Sequence, residues 1–275
     1  MTQGRIAVIT GTTHGIGRVT SRELAKSGYT VVMLCRDYDA AMLERQAILG
    51  QVPGATVHVV RCDLASLRSV REAAQAVRSE FERIALLINN AGMVSTLRRR
   101  STDGFELTFA TNHLGPFLLT QLLLDRMADD GRVITVSSRV HYQGKLDLAR
   151  IADPKARYDS RAAYARSKLA NVLHTFALAR RLAATRITVN CLHPGVVATN
   201  LLPRWLRIIK PLISPVIDAE RGARTTLYLA LSPEVAGVSG RYFDENQAVQ
   251  PAAAAANDVE LQEALWQASE RWVAE

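Results

Sequence analysis

The sequence predicts a single α/β domain, with a doubly wound parallel β-sheet flanked by helices on both faces. Short apolar runs alternate with stretches of helical periodicity over residues 6–192, and these runs are Val/Ile-rich rather than alternately apolar and polar. Strands of that composition are buried on both faces, as parallel strands joined by crossover helices are. No Pro/Gly/Ser-rich linker and no internal repeat divides the 275 residues, so we expect one domain covering 1–275.

Composition excludes several classes of protein. Hydrophobic residues make up 48% of the chain, enough for a packed core, which excludes disorder. No apolar run reaches the ~18 residues of a membrane span, and the opening MTQGRIAVIT lacks the pattern of a signal peptide. Three scattered cysteines form neither a disulfide framework nor a zinc motif. We therefore expect a reduced, cytoplasmic protein.

The formal net charge of +8 bears on the choice of partners. The only tight basic run, Arg98 to Arg100, has no interleaved aromatic residues, so nucleic-acid binding is not expected. The charge favours attraction of an anionic small molecule, or reflects a solvated surface. His113, His141 and His193 share no metal-ligand spacing, so no metal site is predicted.

The secondary-structure elements follow from these patterns in order along the chain. Strands are predicted over 6–10, 30–34, 56–61, 84–89, 132–137 and 187–192. Helices between them are predicted over 15–26, 39–49, 67–81, 102–127 and 161–183. The last third should hold a helix over 219–231, a short strand over 240–243 and an amphipathic C-terminal helix with Leu261, Leu265 and Trp272 on or near one face.

The turn between the first strand and the first helix is rich in glycine. Gly11 permits a tight turn, Gly15 lets the backbone approach a pyrophosphate, and Gly17 permits close helix–strand packing. The N–H groups at the start of the helix carry partial positive charge, which attracts phosphates. The sequence therefore predicts a dinucleotide phosphate site in the segment Thr10-Gly11-Thr12-Thr13-His14-Gly15-Ile16-Gly17.

A serine, a tyrosine and a lysine form the candidate catalytic group. Tyr164 and Lys168 lie four residues apart in a helical stretch, which places them on one face, one turn apart. A phenol with a pKa of ~10 is a poor proton relay at neutral pH, and a nearby ammonium is expected to lower that pKa. Ser138 closes the fifth strand, where its hydroxyl would donate to a substrate carbonyl and stabilise developing alkoxide charge.

With these motifs the chain resembles the short-chain dehydrogenase/reductase family, whose glycine motif has the form G-x-x-x-G-x-G. Further motifs occur in the family's order: Asn89-Asn90-Ala91-Gly92, Thr111-Asn112-His113-Leu114-Gly115, Val136-Ser137-Ser138, Tyr164-Ala165-Arg166-Ser167-Lys168 and Pro194-Gly195-Val196-Val197-Ala198-Thr199. The resemblance implies a Rossmann-type fold and a nicotinamide cofactor. It assigns catalysis to Asn112, Ser138, Tyr164 and Lys168. Asn112 would hold a water between the lysine and solvent; the alternative is a helix-interior amide bonded to backbone.

The resemblance also assigns roles around the cofactor. Asp63 and Leu64 would hold the adenine ring, the paired asparagines would pin the central strand, and the 194–199 segment would orient the nicotinamide carboxamide. Lys168 would reach the nicotinamide ribose. The expected cofactor residues are Gly11, Thr13, His14, Gly15, Ile16, Gly17, Arg36, Asp63, Leu64, Asn90, Ala91, Gly92, Tyr164, Lys168, Pro194, Gly195, Val197 and Thr199.

Two features after the second strand bear on the choice between NAD and NADP. Asp37 lies about twenty residues after the glycines, where an acidic side chain would favour NAD. In the family resemblance, however, the discriminating acidic position falls on Cys35, and Arg36 follows it. A cysteine removes the repulsion of a 2′-phosphate and a guanidinium would clamp it, so we expect NADP(H) rather than NAD(H). The alternative for Arg36 is a surface ion pair with Asp37 or Asp39.

The chain further resembles the retinol dehydrogenase-like branch of the family. Ser138 and Tyr164 lie 26 residues apart, and the segment 139–160 is expected to form a loop bordering the substrate site. The resemblance is carried by this insertion together with the Cys35-Arg36-Asp37 motif and a Ser239-Gly240-Arg241-Tyr242-Phe243 motif near the end. It implies reversible hydride transfer between nicotinamide and a hydrophobic aldehyde, a ketone, or a retinol-like or steroid-like alcohol. We expect no N-terminal membrane anchor of the kind found in many branch members, and this expectation counts against retinoid substrates.

Alternatives remain open for the segment 200–218, the number of subunits and the class of function. The apolar segment 200–218 would fold over the substrate as a lid, or pack at a subunit interface, or touch a membrane surface through Arg204, Trp205, Arg207 and Lys210. By family analogy, the helices over 102–127 and 161–183 would pair subunits into a homodimer or homotetramer. A function from another class is a non-catalytic NAD(P)-binding redox sensor on the same scaffold, although a sensor has no need of Ser138, Tyr164 and Lys168.

Overall fold

The computed structural model describes residues 5–152, 157–196 and 217–274. Its strands are β1 (Ile6–Thr10), β2 (Thr30–Cys35), β3 (Val57–Arg61), β4 (Ile84–Asn89), β5 (Met127–Val136), β6 (Thr188–Leu192), β7 (Arg241–Phe243) and β8 (Val249–Gln250). They form one eight-stranded sheet in the order β3-β2-β1-β4-β5-β6-β7-β8. Every neighbouring pair is parallel except β7 and β8, which are antiparallel. The predicted doubly wound sheet of Rossmann type is confirmed.

Helices cover both faces of this sheet. They are α1 (Gly15–Lys26), α2 (Tyr38–Gln51), α3 (Leu67–Glu80), α4 (Leu107–Phe109), α5 (Gly115–Leu123), α6 (Leu148–Ala152), α7 (Ser160–Arg181), α8 (Ala219–Leu231) and α9 (Val259–Ala274). The core on one face includes residues of α3, α5, α7 and α9, and the core on the other includes residues of α1, α2 and α8. All residues of β1, β4 and β6 are buried, as the Val/Ile-rich runs predict, and the polar residues of these strands are buried with them, namely Thr10, Asn89, Thr188 and Asn190.

The strand order reverses between β1 and β4, because the chain builds β2 and β3 outward from one side of β1 and later adds β4 on the other. In open α/β sheets, ligands bind beyond the carboxyl ends of the strands at such a reversal. The glycine-rich turn after β1 and the Asn89-Asn90-Ala91-Gly92 turn after β4 meet at this edge. The fold therefore places two of the predicted motifs beside one crevice.

The predicted helix over 102–127 is wrong in its bounds and its regularity. Helix α4 begins only at Leu107, because the Glu106 carboxylate caps it by accepting the N–H groups of Thr108 and Phe109 at 2.8 and 2.9 Å. Residues Ala110–Leu114 then form a π-helical turn. Pro116 lacks an N–H and cannot donate to the carbonyl of Asn112 four residues back, which removes an α-helical bond at this point. The chain is already in β5 at Met127.

The C-terminal helix α9 packs across α7 and the π-helical turn. The Arg181 guanidinium lies 3.8 Å from the ring centroid of Trp266, and Ser269 Oγ lies 2.9 Å from His113 Nε2. The helices over which the sequence predicts subunit pairing are therefore partly covered by the chain's own residues, and the number of subunits stays a prediction. Within the described ranges, no helix is both long and apolar enough to span a bilayer.

Candidate active site

The glycine turn after β1 has the backbone geometry that its sequence predicts. Gly11 and Gly15 adopt φ values of +72° and +59°, a region that side chains other than glycine rarely enter. A Cβ on Gly17 would lie 2.1 Å from the carbonyl oxygen of Gly11 and 2.5 Å from Nδ2 of Asn90. Each of these glycines is thus required for the turn to close against the sheet.

The start of α1 fits a dinucleotide pyrophosphate. Its N-cap residue, His14, makes no side-chain capping bond, and no acidic residue lies in the first turn of this fully described helix. The first backbone N–H groups are therefore left for an anion, which the helix dipole attracts. His14 is exposed and contacts the Thr13 hydroxyl through Nδ1 at 3.0 Å, while Ile16 is buried beneath the turn.

Asn90 ties the turn after β4 to the turn after β1. Its Nδ2 donates to the carbonyls of Thr10 and Gly11 at 2.9 and 3.0 Å. The backbone N–H groups of Asn90 and Ala91 both donate to the hydroxyl of Thr10 at 3.0 Å. The expectation that the paired asparagines pin the central strand agrees with these bonds, and Gly11 is held against Ala91 by direct backbone contact.

The ends of β2 and β3 form the outer part of the crevice. Cys35 is buried and its sulfur lies 2.7 Å from the Thr12 hydroxyl, whereas Arg36 is exposed. The Asp37 carboxylate caps α2 by accepting the Ala40 N–H at 3.0 Å through Oδ1. Among the described residues, no ion pair joins Arg36 to Asp37 or Asp39.

The structure adds a residue that the sequence analysis missed. Arg61, the last residue of β3, is exposed and lies opposite Cys35 in the parallel register. Arg61 belongs to none of the sequence motifs, and strand pairing places it opposite Cys35, the residue before Arg36. The sequence signal that points to it is a basic residue at the end of the third predicted strand, since that strand neighbours the one ending at Cys35, the position predicted to discriminate NAD from NADP.

The remaining cofactor candidates lie at neighbouring strand ends. Asp63 accepts the Ala65 N–H at 3.0 Å, which holds its carboxylate in its own turn, and Leu64 is buried against Gly115. Gly195 has a φ of +86° next to the buried Pro194. Val197 and Thr199 lie outside the described residues, as does the predicted lid except for Ile217 and Asp218.

Tyr164 and Lys168 lie on one face of α7, as their spacing predicts. Nζ of Lys168 is 5.7 Å from the ring centroid of Tyr164 and donates to the carbonyl of Val136 at 2.8 Å. A Cβ on Gly92 would lie 3.3 Å from the same Nζ. The turn after β4 thus brings its glycine directly against the lysine, and a bulkier residue there would displace the ammonium.

The pKa values in this pair differ from the sequence argument. Burial raises the pKa of Tyr164 to about 12, and the opposing effect comes from a hydrogen bond with the Ser138 side chain rather than from Lys168. Burial also lowers the pKa of Lys168 to about 8, because a fully enclosed ammonium loses its hydration. The expected lowering of the tyrosine pKa by the lysine is therefore not present in the described structure.

Ser138 stands between β5 and a 3-10 turn, Arg139–Gln143. Its hydroxyl caps that turn weakly, accepting the Val140 N–H at 3.4 Å, and also bonds with Tyr164. Ser137, by contrast, is buried and donates to the carbonyl of Lys168 at 2.8 Å. This agrees with the prediction that the second serine, not the first, faces the reacting groups.

Asn112 lies in the π-helical turn and is buried. Its Oδ1 accepts the Met93 N–H at 2.8 Å, and its Nδ2 donates to the Met93 carbonyl at 2.9 Å and to the Ser167 hydroxyl at 3.0 Å. The side chain therefore does what the structural alternative predicted, bonding to backbone, and it fixes the segment after Gly92.

The segment 139–160, predicted to be a loop, contains a 3-10 turn and the short helix α6 in its described part, and only 144–147 and 157–159 are irregular there. Its residues 153–156 lie outside the described ranges. Among the residues that are described, no group of three or more His, Cys, Asp or Glu side chains is placed to hold a metal ion. The constellation at the sheet edge is thus a hydroxyl, a phenol and an ammonium next to a dinucleotide-type glycine turn.

These features define a class of protein: an oxidoreductase on a nicotinamide-binding α/β scaffold, with a Ser–Tyr–Lys group at the carboxyl edge of its sheet. A family model described as short chain dehydrogenase matches residues 5–207. The chain belongs to the short-chain dehydrogenase/reductase family, in its retinol dehydrogenase-like branch, and acts on alcohol or carbonyl groups.

The similar proteins cover nearly the whole chain. Human retinol dehydrogenase 13 is 38% identical over 98% of this chain and 85% of its own length. Human retinol dehydrogenase 14 is 43% identical over 88% of this chain and 78% of its own. The crystal structure of an uncharacterised protein from Mycobacterium paratuberculosis has a TM-score of 0.81 at 34% identity, covering 98% of this chain and 93% of that one.

Proposed function

We propose that this chain is an NADP(H)-dependent oxidoreductase for a hydrophobic aldehyde or ketone, or for the corresponding retinol-like or steroid-like alcohol. The observation that carries the proposal is the convergence of Ser138, Tyr164 and Lys168 beside the glycine turn. Ser138 bonds with the tyrosine, and the lysine ammonium lies 5.7 Å from the centre of the same ring. A protein that only sensed its cofactor would not need this group.

The protein's own residues handle the proton and the developing charge. The nicotinamide, when bound, supplies or accepts the hydride. In the reducing direction, the Ser138 hydroxyl would donate to the substrate carbonyl oxygen and stabilise its negative charge as the alkoxide forms. Tyr164 would then give its proton to that oxygen, and the Lys168 ammonium would stabilise the phenolate that remains. Since burial places the lysine pKa near 8, a large fraction of the lysine is protonated at neutral pH.

Several residues would hold the dinucleotide. Gly11, Gly15 and Gly17 leave the first N–H groups of α1 open to the pyrophosphate, while Asp63 and Leu64 would border the adenine. Lys168 would reach the nicotinamide ribose. The positive φ values of Gly11 and Gly15 support their role at the pyrophosphate, because they let the backbone of the turn face the phosphates without a side chain in between.

The preference for NADP(H) rests on charge at the ends of β2 and β3. Two exposed arginines, Arg36 and Arg61, end there on neighbouring strands. The nearby carboxylate of Asp37 is engaged as a helix cap. A 2′-phosphate would meet two guanidinium groups, whose planar donors match phosphate oxygens, and no competing carboxylate at the Cys35 position.

Two observations support the proposal of a hydrophobic substrate. The similar curated proteins are named as retinol dehydrogenases, whose substrate by that name is a long apolar alcohol. The sequence of segment 200–218 is rich in Leu and Ile and contains Trp205, residue types that would cover such a molecule if the segment formed the predicted lid.

The proposal is tested by NADPH-dependent turnover of a panel of lipophilic aldehydes and ketones, including retinaldehyde and a steroid ketone. Tyr164→Phe should reduce turnover by roughly 10²–10⁴-fold, the usual contribution of a positioned acid, and leave NADPH affinity nearly unchanged. Tyr228→Phe, on the surface beside Glu234, serves as the matched control and should turn over normally. Wild-type protein that binds NADPH but reduces nothing in the panel would favour the redox-sensor alternative.

A further inference from the structure

His141, three residues after Ser138, is completely buried in the turn that Ser138 begins. Two donors of this one residue converge on the Ser138 carbonyl oxygen. The backbone N–H of His141 lies 3.0 Å from it, and the ring Nδ1 lies 2.8 Å from it. A carbonyl oxygen only accepts, so Nδ1 must carry a proton.

The other ring nitrogen faces the C-terminal tail. Nε2 of His141 lies 3.1 Å from the backbone nitrogen of Ala253, whose N–H donates to it. One nitrogen that donates and one that accepts specify a single neutral tautomer. Burial lowers the pKa of His141, which agrees with that neutral form, although the bond to the Ser138 carbonyl acts in the opposite direction.

Aromatic and polar neighbours hold the imidazole ring in place. The ring centroids of Tyr142 and Tyr242 lie 4.1 and 4.6 Å from that of His141. The Tyr142 hydroxyl donates to the carbonyl of Pro251, two residues before Ala253. The charged and titratable groups near this cluster include Arg139, His193, Asp244 and Glu245. Glu245 contacts Arg139 and His193, and Asp244 acts electrostatically on Tyr142 and His193.

These contacts bear directly on the reacting serine. The Ser138 hydroxyl bonds with Tyr164, and its direction depends on the backbone angles of Ser138. Two donors on the Ser138 carbonyl fix the peptide plane that follows this residue. The ring that supplies the second donor is in turn oriented from behind by the tail, so the tail, the imidazole and the serine form one hydrogen-bonded chain.

We infer that His141 is a positioning residue for Ser138, holding the serine hydroxyl toward Tyr164 and taking its own orientation from the tail segment at Pro251–Ala253. The inference rests on the proposed function, since it concerns the same catalytic group. It requires the ring to act through the serine and not by touching substrate or cofactor.

Two substitutions separate the two bonds of the ring. The side-chain amide nitrogen of asparagine can take the position of Nδ1 of histidine. His141→Asn therefore keeps a donor for the Ser138 carbonyl and loses the bond from the Ala253 N–H. The side-chain amide oxygen of glutamine can take the position of Nε2. His141→Gln therefore keeps an acceptor for the Ala253 N–H and loses the bond to the Ser138 carbonyl. Tyr142→Phe is a matched control that removes the other bond to the tail and leaves the ring untouched.

The readouts are kcat, its pH profile, NADPH affinity and the melting temperature of the full-length protein. His141→Gln should lower kcat by about 10- to 100-fold, the loss typical of a misplaced catalytic group. It should also shift the kcat–pH profile to higher pH, since Tyr164 loses a hydrogen bond that opposes the rise of its pKa. NADPH affinity should stay within about twofold of wild type, because the ring does not reach the glycine turn.

Tyr142→Phe should melt at a lower temperature but keep most of kcat. His141→Asn should keep more of kcat than His141→Gln but less than wild type, because it retains the donor to Ser138 and loses the bond to Ala253 that orients the side chain. If the Gln and Asn variants lose kcat equally with the profile unmoved, the histidine is only structural and the inference is overturned. Failure of the proposed function is a different result, because it appears in the wild type alone as absence of turnover.

Discussion

Nδ2 of Asn90 lies 3.0 Å from the carbonyl oxygen of Gly11, and this bond joins the turn after β4 to the glycine turn after β1. Both partners lie close to the position that a Cβ on Gly17 would take. The two turns and the first helix are thus packed without room for one additional carbon. The proposed phosphate site, here called the phosphate cradle, therefore depends on three chain segments: the glycine turn after β1, the turn after β4 and the start of α1.

Gly17→Ala should therefore destabilise the cradle. A methyl group 2.1 Å from a backbone oxygen forces the helix and the turn apart, so we expect NADPH binding to be lost and the melting temperature to fall. Gly50→Ala in α2 is the control, since no atom lies within 4 Å of the added carbon. That variant should gain about 0.5 kcal/mol from the helix propensity of alanine. Calorimetry measures the melting temperature of each variant, and titration measures its NADPH affinity. Normal cofactor affinity in the Gly17 variant would contradict the prediction.

Arg36→Ala should weaken NADPH binding by roughly 10- to 100-fold and leave NADH binding unchanged. The estimate corresponds to loss of a charge-assisted bond of about 1.5–3 kcal/mol to the 2′-phosphate. Arg61→Ala should show the same selectivity to a smaller degree, since its strand is one further from the cofactor. Arg68→Ala, an exposed arginine paired with Glu72, is the control. Fluorescence titration with both nucleotides measures the effect, and equal losses for NADH and NADPH would argue against a phosphate contact.

Lys168→Met should stabilise the fold while abolishing turnover. Burial lowers the folded-state pKa of Lys168 from 10.5 to about 8, so the stability linked to this group is present above pH 10.5 and is lost as the pH falls toward 8. At pH 7 the shift corresponds to about 3 kcal/mol, and loss of the bond to Val136 offsets about 1 kcal/mol. We therefore expect a net gain of about 1–2 kcal/mol at pH 7 that shrinks toward pH 10.

Chemical denaturation of the Lys168→Met variant at both pH values provides the measurement. Ser79→Ala, on the surface of α3, is a suitable reference because its hydroxyl bonds only to the local Ala76 carbonyl. A methionine variant less stable than wild type at pH 7 would show that the ammonium is better accommodated than its burial implies.

The protein should lose stability in mild acid through its buried histidines. Burial lowers the pKa of His174 and of His193 from 6.5 to about 4. Between these values the unfolded chain binds protons that the folded chain excludes, so the free energy of unfolding falls as the pH decreases from 6.5 to 4. For His174 the effect amounts to up to about 3 kcal/mol.

His174→Leu should accordingly flatten this part of the stability–pH curve. The histidine lies 5.2 Å from Phe117 and 5.6 Å from Trp266, ring centre to ring centre, so leucine meets apolar surroundings. The neighbouring Leu173→Ala should instead lower stability equally at pH 5 and pH 8, since it removes no titrating group. An unchanged slope in the leucine variant would mean that His174 is not the acid-sensitive group.

The order of strands and helices follows from hydrophobic patterning, because apolar runs without alternation arise where a strand is covered on both faces. The glycine turn and the Tyr164–Lys168 pair could also be predicted from the sequence, because their geometry depends on the spacing of residues close together in the chain. The helix over 102–127 could not be predicted correctly, because its π-helical turn depends on a missing N–H at Pro116 and on tertiary bonds from Asn112 to Met93. The two-residue β8 is too short to carry a pattern of its own.

The sequence by itself determined the fold class, the motif positions and the chemical types at the candidate site, since those follow from composition and short-range periodicity. Tertiary structure alone decided three further matters. Strand register placed Arg61 beside Cys35, enclosure of the site raised the tyrosine pKa instead of lowering it, and the tail met the serine turn through His141. Each depends on residues that are distant in the chain and become neighbours only when the sheet assembles, which local pattern cannot encode.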